Sequence, residues 1–150
     1  MSCADFAVFT AQRSCLGDVR KIERYAFYPY LYKSDRYFKR KICQGTLWLC
    51  SADNEPAGYI CFQLHKRYAV IQDLATAVNH RRKGVAERLM KSVISYLKNN
   101  FPGIVTVRLM VSVQNEEARA LYEKLLFRPA GGKKRYYGNH DGVMMIRSLV

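Results

Sequence analysis

A largely apolar run from Val70 to Val78 is followed at once by the polar turn Asn79-His80-Arg81-Arg82-Lys83-Gly84, and a helical pattern opens at Val85. Strand, cationic turn, helix is an arrangement that binds anions. The first backbone N–H groups of a helix have no partner within it and point outward. The helix dipole adds partial positive charge at the same end, so phosphate groups bind there. Gly84 lets the backbone approach a ligand with no Cβ in the way. Arg81, Arg82 and Lys83 add Coulomb attraction, and Val85 and Ala86 supply the first helical amides. The competing reading is a plain basic turn in front of a helix.

The other residues with chemical potential are scattered. Asp73 sits in the apolar run, where a carboxylate costs free energy unless it is solvated or paired. His65, His80 and His140 are far apart in sequence and read as surface or turn residues. The 5 cysteines show no CxxC spacing and no zinc pattern, so no metal is expected. Cys43, Cys50 and Cys61 fall in apolar segments and read as free, buried thiols of a reducing compartment.

Residues of these types must be positioned by a folded core, and the totals allow one. At 150 residues and 49% hydrophobic, with 11 Tyr and 7 Phe, the chain reads as one globular domain over residues 1–150 and not as a disordered segment. A formal net charge of +13 favours anionic partners such as nucleotide phosphates, RNA or acidic peptides. No run approaches a membrane span, and residues 1–15 lack the form of a signal peptide. The expectation is a soluble, cytoplasmic protein with no membrane partner.

Phe6 to Thr10 reads as an edge strand, and Asp18 to Phe27 as an amphipathic helix carrying Val19, Ile22, Tyr25 and Ala26. Tyr28-Pro29-Tyr30 interrupts it. Ser34 can cap a helix over 35–43, which Gly45 ends. Strands are expected over 46–51, 58–64 and 68–78, with turn chemistry at 52–56. The helix from Val85 to about Asn99 carries one apolar stripe, and Phe101-Pro102-Gly103 stops it. A β-branched strand follows over 104–113. Asn115 then caps a helix with Glu116 and Glu117 in its first turn and Ala118, Leu121, Tyr122 and Leu125 on its buried side. Gly131-Gly132 and Lys133-Lys134-Arg135 read as a loop. Tyr136-Tyr137 and 143–148 read as two last strands around a turn at 138–142. The order is β-α-α-β-β-β-α-β-α-β-β, an α+β fold on a mixed, mostly antiparallel sheet of about seven strands with helices on both faces.

Arg81-x-x-Gly84-x-Ala86 resembles the acyl-CoA pyrophosphate loop of the GNAT acetyltransferase superfamily, and the order of elements is that of its fold. Asn115-Glu116-Glu117-Ala118-Arg119-Ala120-Leu121-Tyr122, ending at Phe127, is similar to the family's second block. Ile22-Glu23 with Pro29-Tyr30, and Tyr136-Tyr137 with Asp141 and Met144-Met145, look like the signatures of protein N-terminal acetyltransferases, ribosomal-protein alanine acetyltransferases among them.

The resemblance implies an acyltransferase using acetyl-CoA as cosubstrate, in which an amine attacks the thioester directly. It implies a strand over 73–76 splayed from the next one, with pantetheine held by backbone at Leu74, Ala75 and Thr76. The diphosphate would lie on Arg81, Arg82, Lys83, Gly84, Val85 and Ala86, and Asn115 would contact the cofactor. Tyr122 matches the family's general acid for the leaving thiolate. Ordinary values near ~10 for tyrosine and ~8.5 for a thiol make that transfer read as feasible. The competing reading of Tyr122, on the apolar face of its helix, is packing alone. Relatives often carry Glu or His as general base where this chain has Met110, which leaves Asp73 and Glu23 as titratable candidates. Asp73 reads either as an anchor for the substrate amine or as a structural ion-pair partner.

Phe27, Pro29, Tyr30 and Leu31, with Tyr136 and Tyr137, would flank a peptide N-terminus, or serve as core aromatics. Lys133, Lys134 and Arg135 suggest acidic acceptor residues, a ribosomal or nascent-chain setting, or contact with nucleic acid, against a simple solvated loop. The alternatives are a GNAT enzyme acting on a small amine and a non-catalytic CoA- or nucleic-acid-binding module.

Overall fold

The computed structural model describes residues 4–150 and has seven strands in one sheet, ordered β1-β2-β3-β4-β5-β7-β6. The strands are β1 (Phe6–Thr10), β2 (Leu47–Ala52), β3 (Glu55–Leu64), β4 (Tyr68–Thr76), β5 (Thr106–Ser112), β6 (Arg128–Tyr137) and β7 (His140–Ser148). The helices are α1 (Leu16–Ala26), α2 (Asp35–Gln44), α3 (Val85–Asn100) and α4 (Glu116–Lys124). The fold is the expected α+β type on a mixed sheet. The chain separates into two compact units whose boundaries fall inside β3, inside β4 and inside α3: residues through Phe62 with Asp73–Val93, and Gln63–Gln72 with Ile94–Val150.

In the first unit β1 pairs antiparallel with β2, and β2 with β3. The β2–β3 turn places Asp53 and Asn54 at φ 51° and 65°, the paired left-handed geometry whose twist matches a tight hairpin. The core gathers Val19 and Ile22 from α1, Phe38 and Ile42 from α2, Leu47 and Leu49 from β2, and Tyr59 and Cys61 from β3. These α1 and α2 positions follow the i, i+3, i+4 spacing of one helix face. Ser34 accepts the Tyr37 amide at 3.1 Å and caps α2 as expected. Gly58 brings β3 against its neighbours: a Cβ there would stand 2.7 Å from the Ala75 carbonyl and 2.7 Å from Val85 Cγ1.

In the second unit β4 and β5 pair in parallel over four positions, from Tyr68↔Thr106 to Ile71↔Leu109. β5 pairs antiparallel with β7 along its full length. Val107, Leu109 and Val111 are buried while the residues between them are half-buried, the period of a strand with one covered face. Asn115 accepts the Ala118 amide at 3.1 Å and caps α4. Phe127 is fully buried.

Two expectations are corrected. Residues 131–135 are not a loop: they lie in β6, an exposed edge strand whose pairing with β7 is interrupted between Pro129 and Gly132 and between Lys133 and Tyr137. The glycine pair and the cationic run look like a loop because an edge strand has no second neighbour to demand apolar residues. Cys43 is exposed, because it follows the buried pair Lys41 and Ile42 onto the solvent side of α2, whereas Cys50 and Cys61 are buried thiols. His80 lies in a turn, as expected, and is buried there. It is 6% exposed, with Nε2 2.9 Å from Glu55 Oε2.

Candidate active site

The turn between β4 and α3 brings a run of exposed cations to the front of a helix. A short 3-10 turn at Val78–His80 leads into it, tied down by the Ala77 amide to the Ala57 carbonyl at 2.7 Å and by the His80–Glu55 contact. Arg81, Arg82, Lys83 and Gly84 that follow are all exposed. Arg82 and Gly84 both take left-handed backbone, at φ 61° and 82°. An arginine in that region is strained, and such strain gathers at ligand sites. Arg88 is the residue whose amide donates to the Gly84 carbonyl, at 3.0 Å, so Gly84 is the N-cap. The amides of Val85, Ala86 and Glu87 therefore precede the first closed helical turn. In α2 and α4 a side chain, Ser34 or Asn115, covers such an amide. Gly84 has no side chain to do so, and a Cβ built on it would meet no atom within 4 Å. The front of α3 thus gets no cap from the side chain of its own N-cap residue, and three exposed cations flank it.

Upstream, the parallel ladder between β4 and β5 stops at Ile71 and Leu109, so Asp73, Leu74, Ala75 and Thr76 have no register partner on β5 among the described residues. Leu74 and Thr76 are half-buried and Ala75 is buried.

Asp73 is held from α2. The Tyr37 hydroxyl donates to Asp73 Oδ2 at 2.7 Å. Burial pushes the Asp73 carboxyl up, and the Tyr37 hydrogen bond with the ammonium groups of Lys33 and Lys41 works the other way. Burial, and then the charge of Asp73, push Tyr37 and Tyr59 up as well. Burial raises the Cys61 thiol and lowers Lys41. Lys41 is 3% exposed and donates from Nζ to the Phe62 carbonyl at 3.0 Å. No ion pair reaches Asp73 among the described residues.

Glu23 is 1% exposed and both its oxygens are engaged. Oε1 accepts from Arg20 at 2.8 Å, and Oε2 from the Lys33 amide at 2.7 Å. Arg20 also donates to the Lys33 carbonyl and to Asp35 Oδ1. Arg20 and Glu23 thereby fix the far end of the segment 27–34, while the Tyr32 hydroxyl donates to the Arg24 carbonyl at 3.0 Å. Within that segment Tyr28 and Tyr30 stack with ring centroids 5.8 Å apart and stand 70% and 77% exposed, so neither is a core aromatic. Pro29 and Leu31 are also exposed, and Phe27 is half-buried against the core.

In the second unit Tyr122 is buried, 9% exposed. Its ring lies 5.9 Å from that of Phe127. Burial pushes its hydroxyl up to about 12. The ordinary tyrosine and thiol values already oppose full proton transfer to a free thiolate near ~8.5, and burial widens the gap. A hydroxyl of this kind stabilises a leaving sulfur as a hydrogen-bond donor while charge develops, not by complete transfer. Tyr137 donates to the Met110 carbonyl at 2.9 Å, with Tyr136 packed edge-on at 4.8 Å.

Among the described residues no group of His, Cys, Asp or Glu is placed to hold a metal ion. Tyr37 escaped the sequence reading. It sits on the same face of α2 as Lys41 and offered no motif, and only its tertiary contact with Asp73 marks it.

Known proteins resemble this chain along its length. An N-alpha-acetyltransferase of Saccharolobus solfataricus is 27% identical over 97% of this chain and 94% of its own. A [Ribosomal protein bS18]-alanine N-acetyltransferase of Salmonella typhimurium is 28% identical over 75% of this chain and 72% of its own. The crystal structure of the ribosomal-protein-S18-alanine N-acetyltransferase from Escherichia coli superposes with a TM-score of 0.84, covering 97% of this chain and 94% of that one at 22% identity. The model of the acetyltransferase (GNAT) family matches residues 14–127, a span holding α1, the anion turn and Tyr122, and the chain belongs to that family.

Proposed function

We propose that this protein, as one domain over residues 1–150, transfers the acetyl group of acetyl-CoA to the α-amine at a protein or peptide N-terminus. The observation that carries the reading is the front of α3. Gly84 brings no side chain to cap the first amides, and Arg81, Arg82 and Lys83 stand exposed around them. A diphosphate is the anion such a turn accepts. The relatives named for N-alpha and alanine acetylation supply the acceptor class.

Leu74, Ala75 and Thr76 offer unladdered backbone to the pantetheine arm, which matches what its amides need. Arg81 to Ala86 take the diphosphate. Asn115 is already committed as a helix cap through its carbonyl oxygen, which leaves its amide nitrogen for the cofactor. Tyr122 serves the departing sulfur. Phe27, Pro29, Tyr30 and Leu31, and separately Tyr136 and Tyr137, receive the first residues of the acceptor; the exposure of the Tyr30 and Tyr136 rings supports this. Of the candidate bases, Asp73 has an oxygen to spare. Glu23 has none, and its two contacts suit a clamp on the acceptor loop. Lys133, Lys134 and Arg135 are exposed on an edge strand and are available to acidic acceptors or to nucleic acid near a ribosome. No helix among the described residues is long and apolar enough to cross a membrane, in keeping with a cytoplasmic enzyme.

The test is release of free CoA from acetyl-CoA with a peptide library varied at its first two positions, run beside a panel of small primary amines. Turnover on peptides supports the reading. Turnover on small amines alone reassigns the substrate. Acetyl-CoA binding without turnover on either marks a non-catalytic module.

A further inference from the structure

We propose that Tyr37 and Asp73 form the element that receives the acceptor amine: Asp73 Oδ1 binds the ammonium and takes its proton, and Tyr37 is the positioning residue that fixes the carboxylate through Oδ2. This rests on the acetyltransferase reading and assigns the proton acceptor that Met110 cannot be.

The geometry has three parts. The Tyr37 hydroxyl donates to Oδ2 at 2.7 Å, and no described residue bonds Oδ1. Asp73 lies beyond the last β4–β5 register pair, Ile71↔Leu109, and directly before Leu74. The nearby cations are already engaged: Lys41 on the Phe62 carbonyl, and Lys33 and Lys41 over the Tyr37 ring at 5.3 and 5.7 Å. A half-buried carboxylate lacking a cation partner is costly, and a ligand ammonium relieves that cost. Tyr37 is itself fixed, since its amide is the one Ser34 caps and its ring packs edge-on against Phe38 at 5.4 Å.

The groups facing Asp73 are Tyr37, Lys33 and Lys41 from α2 and the segment before it, Glu23 from α1, and Cys61 and Tyr59 from β3. Cys61 and Tyr59 are neutral near pH 7 because burial raises both, so the pair answers chiefly to the carboxylates and lysines.

The step balances as follows. The ammonium gives one proton to Asp73, which passes it to water. The free amine then attacks the thioester carbon, and the N–C bond forms as the C–S bond breaks. The nitrogen loses its second proton, and the sulfur gains one to leave as the thiol.

The experiment measures kcat/KM against pH for wild type, Tyr37→Phe and Asp73→Asn. The acceptors are peptides with free Ala, Ser or Met N-termini, and acetyl-CoA affinity is measured alongside. Loss of the Tyr37 hydrogen bond removes a contact that holds the carboxyl down. Tyr37→Phe is therefore expected to move the acid limb of the profile to higher pH and to lower kcat/KM about ten- to a hundredfold. Asp73→Asn, which retains an acceptor for Tyr37, is expected to lose about a hundredfold or more and to flatten that limb. Acetyl-CoA affinity is expected to stay within about twofold of wild type in both, which also shows that both fold. A wild-type enzyme active on these peptides, with either variant matching its profile and rate, overturns the proposal and leaves the acetyltransferase reading standing. An inactive wild type that binds acetyl-CoA overturns both.

Discussion

Gly84 separates the geometry of the anion turn from its charge. At φ 82° an L residue pays about 1–2 kcal/mol in backbone strain, while a Cβ there meets no neighbour, so Gly84→Ala is expected to fold. For a domain of this size that strain lowers Tm by about 2–8 °C. Gly84→Glu carries the same strain and adds a carboxylate in front of the Val85, Ala86 and Glu87 amides. At about 4 Å in a water-like dielectric each phosphate charge repels it by about 1 kcal/mol, or about 2 kcal/mol for a diphosphate. The carboxylate also satisfies the helix dipole in place of the ligand, which adds about 0.3–1 kcal/mol in the same direction. Acetyl-CoA is then expected to bind Gly84→Glu about 50- to 150-fold more weakly than Gly84→Ala. Calorimetric titration of both variants measures the difference directly. Repeating it at 1 M salt, where the screening length falls to about 3 Å, is expected to shrink it. Equal affinity of the two variants for acetyl-CoA would refute the assignment of the diphosphate to this turn.

Gly58→Ala drives a Cβ to 2.7 Å from both the Ala75 carbonyl and Val85 Cγ1, so a loss of about 1–3 kcal/mol is expected in thermal unfolding, with weaker acetyl-CoA binding because both neighbours border its track. Glu23→Ala removes the acceptor of the Arg20 guanidinium and of the Lys33 amide. A loss of about 2–4 kcal/mol and faster proteolysis within residues 27–34 are expected, and full stability with abolished turnover would instead make Glu23 the base. Tyr122→Phe is expected to keep acetyl-CoA affinity and slow CoA release about a hundredfold; unchanged release would leave Tyr122 as packing alone. Asp73 has its folded carboxyl raised by burial, so its contribution to stability is complete below the ordinary carboxyl value and is lost as pH climbs through the folded one. Asp73→Asn is therefore expected to raise Tm at pH 7 and to give no advantage below about pH 4, as read by calorimetric scans across pH.

What the sequence made legible was whatever chain neighbours decide. The caps Ser34 and Asn115, the helix stripes and the Arg81-x-x-Gly84-x-Ala86 turn are local patterns, and each was readable from residues within a few positions of itself. What stayed hidden depends on contacts far apart in sequence. The Tyr37–Asp73 bond spans 36 residues, and the two residues share no motif. Lys41 reads as a solvent lysine until its ammonium is seen on the Phe62 carbonyl. Glu23 reads as a free carboxylate until the chain returns at Lys33 to cover it. All of β6 before Tyr136 was missed for a different reason. Its strand character comes from β7 alone, and nothing in an exposed run of glycines and cations encodes that partner.

The same contacts bear on which amine such a site could serve. An α-amino group titrates near ~7.7–8.0, so about a quarter to two-fifths of it is neutral at pH 7.5. A lysine side chain near ~10.4 is neutral to only about 0.1% at that pH. A strong base would erase this advantage of a few hundredfold, but Asp73 is not one. Burial raises its carboxyl, yet Tyr37, Lys33 and Lys41 pull it back toward the carboxylate range. Such a group holds an ammonium firmly and removes its proton well only when the amine is already a weak base. A site with Asp73 as proton acceptor therefore selects the terminal α-amine over the lysine ε-amine through acidity alone, before any side chain of the acceptor is read.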